Sequence, residues 1–273
     1  PFHGGCLIRS EAAAEGVRLP GADRSATIAI AKSFSRLQAE HGLQVSVALG
    51  GLFTLSARIG PLDDLCRWML RRPDLARKIL RISADYTAEV VQMWVGLFGA
   101  EKVIPMIFES LAAPPVLSRE HFARFLLPQL VETSDRLPIP LLPSDMKEET
   151  SDRLLGMGIA HLFFHIGGQQ GDRLDLWSQI PMGDPGICSI DSAIDMEQAI
   201  AHLGKKAVIV GNIDPRRVLE GTRQEILHCC RNTLAKGEKS PRGFMLGTGE
   251  EIPPSTPAAN LAAMNEALEK WGA

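Results

Sequence analysis

Short apolar runs alternate with amphipathic helical patterns along the whole chain, and this alternation limits the possible folds more than any other feature. Most of the runs are continuously apolar, as expected for parallel strands that are covered on both faces. Seven runs are predicted to be strands: "CLI" near Cys6, 44–50, 102–108, 161–166, 186–191, 206–212 and 243–249. The repeated strand–helix order predicts a parallel α/β fold, either a (β/α)₈ barrel or an open doubly wound sheet.

The length of 273 residues suits a single barrel domain spanning 1–273. No Gly-x-Gly-x-x-Gly or P-loop sequence follows a predicted strand, which disfavours a nucleotide-binding sheet. The hexapeptide "ETSDRL" occurs at 132–137 and again at 149–154. Removal of 138–154 leaves a helix, a glycine stop and a strand in continuous order, so 138–154 is predicted to be an insertion. The alternative is that "PIPLLPS" is a barrel strand, although each of its prolines removes a ladder donor.

Composition and charge exclude several classes of partner. The net charge is −3 and no basic run is interleaved with aromatic residues, so nucleic acid is not an expected partner. No apolar stretch approaches the roughly 20 residues that cross a bilayer, so a soluble chain without a membrane partner is expected. The five irregularly spaced cysteines favour reduced thiols and a cytoplasmic location. His228, Cys229 and Cys230 lie in a predicted helix, where consecutive side chains diverge and cannot share one metal ion.

Three stretches carry a family resemblance: "VALGGLFTLSARIGPLDDL", "AVIVGNIDPRRVLEGTRQEI" and "GFMLGTGEEIPPSTPAANLAAMNEAL". They resemble the uroporphyrinogen decarboxylase superfamily. The stretch "HIGGQQGDRLDLW…GDPGICSIDSAIDMEQA" is most similar to the branch of corrinoid-dependent (methylcobamide:thiol) methyltransferases. The resemblance implies a (β/α)₈ TIM barrel with its site at the carboxyl ends of the strands. It also implies that the barrel is incomplete at its N-terminus, because family members carry roughly one more strand and helical segment there.

The resemblance also implies a metal site. In the methyltransferase branch, one strand ends in His-x-Cys and another in Gly-Cys, and these residues hold a zinc that activates a thiol. His165 matches the histidine, whereas Gly167 and Glu250 stand at the two cysteine positions. His165 and Glu250 are therefore the remaining candidate zinc ligands, with water in the open positions. Glu109 and Asp191 follow strand ends and are candidates to complete the set.

Other candidate site residues lie at the same predicted rim. Glu109, Asp191 and Asn212 are candidate catalytic residues, and Gly50, Gly51 and Gln169 are candidate cofactor-binding residues. The alternative for Asn212 and for the glycines is a role in strand-to-helix turns. Asp214 is predicted to cap a helix that begins at Pro215. The roles of four further residues remain open. Arg9 and Arg58 either bind an acid or are surface charges, and Trp177 and Asp184 are candidates to line the mouth of the barrel.

The resemblance implies an enzyme that moves a methyl group between a corrinoid carrier and a thiol or another small acceptor. The corrinoid would arrive as a substrate on a partner protein, and a homodimer remains open. One alternative is a uroporphyrinogen decarboxylase-like lyase of porphyrin biosynthesis, which needs arginines to bind eight substrate carboxylates. Another alternative is a non-catalytic binding barrel, because both cysteine ligands are missing.

Overall fold

The computed structural model describes residues 7–8, 10–24, 28–137, 162–183 and 185–272. These residues form a six-stranded sheet in which the spatial order equals the chain order and every neighbouring pair is parallel. The strands are β1 Val45–Gly50, β2 Val103–Glu109, β3 Phe163–Ile166, β4 Gly186–Ile190, β5 Ala207–Ile213 and β6 Phe244–Thr248. A sequential parallel order is that of a TIM barrel, since a doubly wound sheet reverses its order at a switch point.

Helices follow the strands as the sequence predicts. They are α1 Glu11–Gly16, α2 Ile28–Glu40, α3 Leu52–Ile59, α4 Leu62–Arg71, α5 Pro73–Phe98, α6 Arg119–His121, α7 Leu127–Arg136, α8 Leu174–Trp177, α9 Met196–Leu203, α10 Pro215–Glu220, α11 Arg223–Gly237 and α12 Ala258–Trp271. A π-helical turn, Phe122–Leu126, joins α6 to α7. No helix of the described residues is long and apolar enough to cross a membrane.

Side-chain caps explain where several helices begin. Ser118 accepts a hydrogen bond from the backbone N–H of His121, and this cap marks the beginning of α6. Asp214 caps α10 and Pro215 is its first residue, which confirms that prediction. Thr222 and Glu225 form a capping box at α11.

The prediction of a strand near Cys6 is wrong for Leu7 and Ile8, the two residues of this run that the structure describes. Leu7 and Ile8 belong to no strand; instead the backbone N–H of Ile8 donates to Ile59 O and its side chain is fully buried. Ile8 thus packs against the end of α3 and pairs with no strand, whereas Leu7 is exposed. Cys6, Arg9, Asp184 and the predicted insertion 138–154 lie outside the described residues.

The main core lies between the sheet and the surrounding helices. Trp68 of α4 and Trp94 of α5 are both buried. Trp177 is fully buried as well, so it does not form part of a mouth. Its indole packs on Phe122 and Phe164 and donates a hydrogen bond to Gln170.

The side chains of His228, Cys229 and Cys230 diverge on α11, as predicted. Cys230 is buried, whereas His228 is exposed.

Candidate active site

A cavity of about 880 Å³ opens at the carboxyl ends of the strands. This is the face on which barrel enzymes place their sites. Strands contribute Gly50, Phe108, His165, Ser189 and Thr248 to its wall, α3 contributes Thr54 and Arg58, and the segment after β6 contributes Glu250 and Glu251. The predicted site residues that line this cavity are thus Gly50, His165 and Glu250.

His165 is almost completely buried and both of its ring nitrogens have partners. Nδ1 lies 3.1 Å from Ser189 Oγ, and Nε2 lies 3.1 Å from Glu250 Oε1. The strand register explains the first contact, because Ser189 of β4 pairs directly with His165 of β3. On the other side Phe108 of β2 pairs with His165, and the two ring centroids are 5.7 Å apart. The imidazole is therefore held from three sides.

The charge of Glu250 bears on which ring nitrogen of His165 donates a hydrogen bond. The hydrogen bond with His165 lowers the pKa of the Glu250 carboxyl below its usual value, and contact with Asp191 acts in the same direction. Glu250 is therefore ionised at neutral pH and can only accept a hydrogen bond. In the neutral imidazole, Nε2 therefore carries the proton donated to Glu250, and Nδ1 accepts the Ser189 hydroxyl hydrogen.

Gly167 lies directly against the His165–Glu250 pair. A Cβ atom at Gly167 would lie 2.9 Å from Glu250 Oε1 and 3.0 Å from the Cα atom of Ser110. Positions 165, 167 and 250 are thus neighbours in space. They are the positions at which the resemblance to the methyltransferase branch implies the zinc ligands. The expectation that His165 and Glu250 share one cavity agrees with this geometry.

The zinc expected from the resemblance does not fit this set of side chains. Protein zinc sites use three or four side-chain ligands, and His165 and Glu250 supply two. Among the described residues, no group of three or more His, Cys, Asp or Glu side chains could hold a metal ion. The sequence expectation that Glu109 or Asp191 completes the set therefore finds no support in the geometry.

Glu109 is turned towards the beginning of α3. One carboxylate oxygen accepts from the backbone N–H of Phe53 at 2.9 Å, and the other accepts from the N–H and the hydroxyl of Thr54 at 2.9 and 2.6 Å. The carboxyl is completely buried, and this burial raises its pKa to about 7 against the opposing effect of the hydrogen bonds. Glu109 thus fixes α3, which places Thr54 and Arg58 in the cavity wall.

Gly51 makes this arrangement possible. A Cβ atom at Gly51 would lie 2.4 Å from Glu109 Oε2, which is far inside van der Waals contact. The two predicted cofactor-binding glycines thus have different surroundings: Gly50 lines the cavity, whereas Gly51 is buried against Glu109.

Asp191 and Asn212 brace the segment that follows β4. Asp191 accepts hydrogen bonds from the backbone N–H groups of Gly168 and Ala193 at 2.9 and 2.7 Å. The Asn212 amide donates to Asp191 O and Ile194 O at 3.1 and 2.7 Å. Asn212 also lines a smaller groove of about 400 Å³, with which the cavity shares no lining residue. Both residues therefore contact backbone, and Asp191 reaches the site through its contact with Glu250.

Gln169 is exposed, whereas its neighbour Gln170 is completely buried. Gln170 donates to Gly167 O at 2.8 Å and accepts from Trp177 at 2.7 Å, so it fixes the turn after β3. The sequence reasoning missed Gln170 and Ser189. Ser189 could have been found only by aligning β3 with β4, because its pairing with His165 depends on strand register.

A family model described as uroporphyrinogen decarboxylase (URO-D) matches residues 7–271. The chain belongs to the uroporphyrinogen decarboxylase family. Members of this family are enzymes.

Curated relatives of the chain carry the same description. The uroporphyrinogen decarboxylase of Nostoc punctiforme is 37% identical over 190 residues, which cover 70% of this chain and 43% of that protein. The chloroplastic uroporphyrinogen decarboxylase of Nicotiana tabacum is 28% identical over 187 residues, covering 68% of this chain and 37% of that protein. The chain thus spans less than half the length of these relatives.

Among solved structures, a methyltransferase from Methanosarcina mazei has a similar fold. The TM-score is 0.75 at 18% sequence identity, and the match covers 95% of this chain and 69% of that chain. At this identity the likeness establishes the fold, which confirms the prediction of a barrel of the uroporphyrinogen decarboxylase type.

Proposed function

We propose that this chain is part of a methyltransferase that moves a methyl group between a corrinoid carrier and a small acceptor. The observation that supports the proposal best is the grouping of His165, Gly167 and Glu250 at one point of the cavity wall. These are the three positions that the motif of the methyltransferase branch relates to one another. The corrinoid would be a substrate brought by a partner protein, and a thiol is one class of acceptor to test.

The acceptor must lose a proton when its O, N or S atom takes the methyl group. A methylated corrinoid and X–H yield X–CH₃, the demethylated corrinoid with the electron pair of the broken bond, and a proton. Ser189 Oγ lies at the cavity wall and contacts His165 Nδ1, so the proton can pass through the Ser189 hydroxyl to the imidazole. The Glu250 carboxylate at Nε2 stabilises the positive charge that forms on the ring.

A decarboxylase is the second candidate, because the curated relatives carry that name. Its substrate bears eight carboxylates and requires a strongly cationic site. In the described part of the chain, the cavity wall combines Arg58 with the two acidic residues Glu250 and Glu251. This charge balance opposes a polyanionic substrate, because like charges at close range repel.

The proposal is tested by incubating the protein with methylcobalamin and a panel of small thiol, amine and alcohol acceptors while cobalt absorbance is recorded. We expect a spectral change with at least one acceptor, its loss in His165→Ala, and its retention in the surface control His228→Ala. Conversion of uroporphyrinogen without methyl transfer would favour the decarboxylase. Absence of both reactions would favour a non-catalytic binding barrel.

A further inference from the structure

The imidazole of His165 has no nitrogen left for a metal ion. Ser189 Oγ occupies Nδ1 and Glu250 Oε1 occupies Nε2, each at 3.1 Å. Phe108 covers one side of the ring, with its centroid 5.7 Å away. A metal could bind only if it displaced one of the two hydrogen-bond partners.

The position of Glu250 depends in turn on Gly167. A Cβ atom at 167 would lie 2.9 Å from Glu250 Oε1 on one side and 3.0 Å from Ser110 Cα on the other. The Ser110 atom belongs to the backbone that follows β2, so it cannot move as easily as a side chain. Any side chain at 167 would therefore push the Glu250 carboxylate away from His165.

We infer that Ser189, His165 and Glu250 form a metal-free hydrogen-bonded array in which Glu250 positions the imidazole and Gly167 leaves the room for Glu250. The array offers the Ser189 hydroxyl to the cavity. It therefore suits a ligand with an exchangeable O–H, N–H or S–H proton, in place of a ligand that coordinates a metal. This inference deepens the proposed function by saying how the acceptor site is built.

The array can be observed without turnover, so that its failure and the failure of the proposed function are distinguishable. Histidine labelled with ¹⁵N gives a slowly exchanging Nε2–H resonance when that proton is hydrogen-bonded, and His165→Gln assigns the signal. We expect the His165 resonance in the wild-type protein and its persistence after one equivalent of zinc chloride. Loss of the resonance on addition of zinc would overturn the inference, since zinc would then have displaced the proton.

Variants separate positioning from general stability. Glu250→Gln keeps an oxygen acceptor and should retain the resonance, whereas Glu250→Ala should lose it. Gly167→Ala should lose it as well, while the matched control Gly171→Ala should retain it, because a Cβ there meets only Gln198 at 3.5 Å. If Gly167→Ala does not fold, Glu250→Ala carries the test, because it removes the carboxylate without adding an atom beside the Ser110 backbone. A folded Gly167→Ala or Glu250→Ala protein that keeps the resonance would contradict the inference.

Discussion

Glu250 and His165 are 85 residues apart in the chain, yet the Glu250 carboxylate lies 3.1 Å from Nε2 of the imidazole. His165 lies one residue before the end of β3 and Glu250 follows β6 in the same parallel sheet, so the fold brings both to one rim. The contact combines a buried ring with a half-exposed carboxylate at the cavity wall. The Glu250 carboxylate therefore fixes the buried imidazole at the wall of the cavity.

The buried carboxyl of Glu109 should make the free energy of unfolding depend on pH. Its pKa is about 7 in the folded protein and about 4.3 in an unfolded chain, so the folded state holds the proton more tightly. Stability should therefore fall as the pH rises from about 4.5 to 7, by roughly 3 kcal/mol in total. Urea unfolding of the wild type and of Glu109→Gln at several pH values measures this, and the variant should lack the slope. Parallel pH profiles for the two proteins would contradict the expected burial of a titrating carboxyl.

Gly51→Ala tests the close approach of α3 to Glu109. The new Cβ atom would lie 2.4 Å from the carboxylate, so either α3 or Glu109 must move. We expect the free energy of unfolding to fall by about 2 kcal/mol or more, as for overpacked cores. Gly16→Ala is the control, because nothing lies within 4 Å of a Cβ at that position. Equal stability of the two variants in urea titrations would mean that the α3 contact is not tight.

Ser189→Ala tests the proton route of the proposed reaction. The variant leaves His165 Nδ1 without its hydroxyl partner, while the cavity loses only one oxygen atom. We expect methyl transfer at saturating acceptor to slow by about 100-fold, the lower range for loss of a general acid–base group, with little change in KM. The exposed residue Ser33 on α2 provides the control Ser33→Ala. A change confined to KM would instead indicate that Ser189 only contacts the acceptor.

The sequence predicts the framework of this fold more fully than its site. Strands β1 to β6 were each predicted to within about two residues, because continuous apolar runs between glycine-containing turns are a strong signal. The meeting of His165 with Glu250 followed from the common rim of parallel strands. Strand position does not reveal side-chain direction, however. Glu109 ends a strand like His165's, yet three donors at the start of α3 attract its carboxylate away from the cavity.

Two further features of the structure depend on contacts between distant parts of the chain. Trp177 lies in a long connection, but aromatic contacts with Phe122 and Phe164 bury it. Ser189 carries no motif of its own, and its place beside His165 depends on the pairing of β3 with β4. Both features are long-range, so a local pattern could not reveal them.

The rate of methyl transfer after removal of metal shows whether the site works as a metal-free array. The protein would be dialysed against a strong chelator and assayed with methylcobalamin and its best acceptor, beside Glu250→Ala and Glu250→Gln. We expect an undiminished rate for the chelated wild type and a loss of about 100-fold for Glu250→Ala, as when a catalytic group is misplaced. Glu250→Gln should lie between them, because its amide oxygen still orients His165. A wild-type rate that disappears on chelation and returns with zinc would contradict a metal-free array of Ser189, His165 and Glu250.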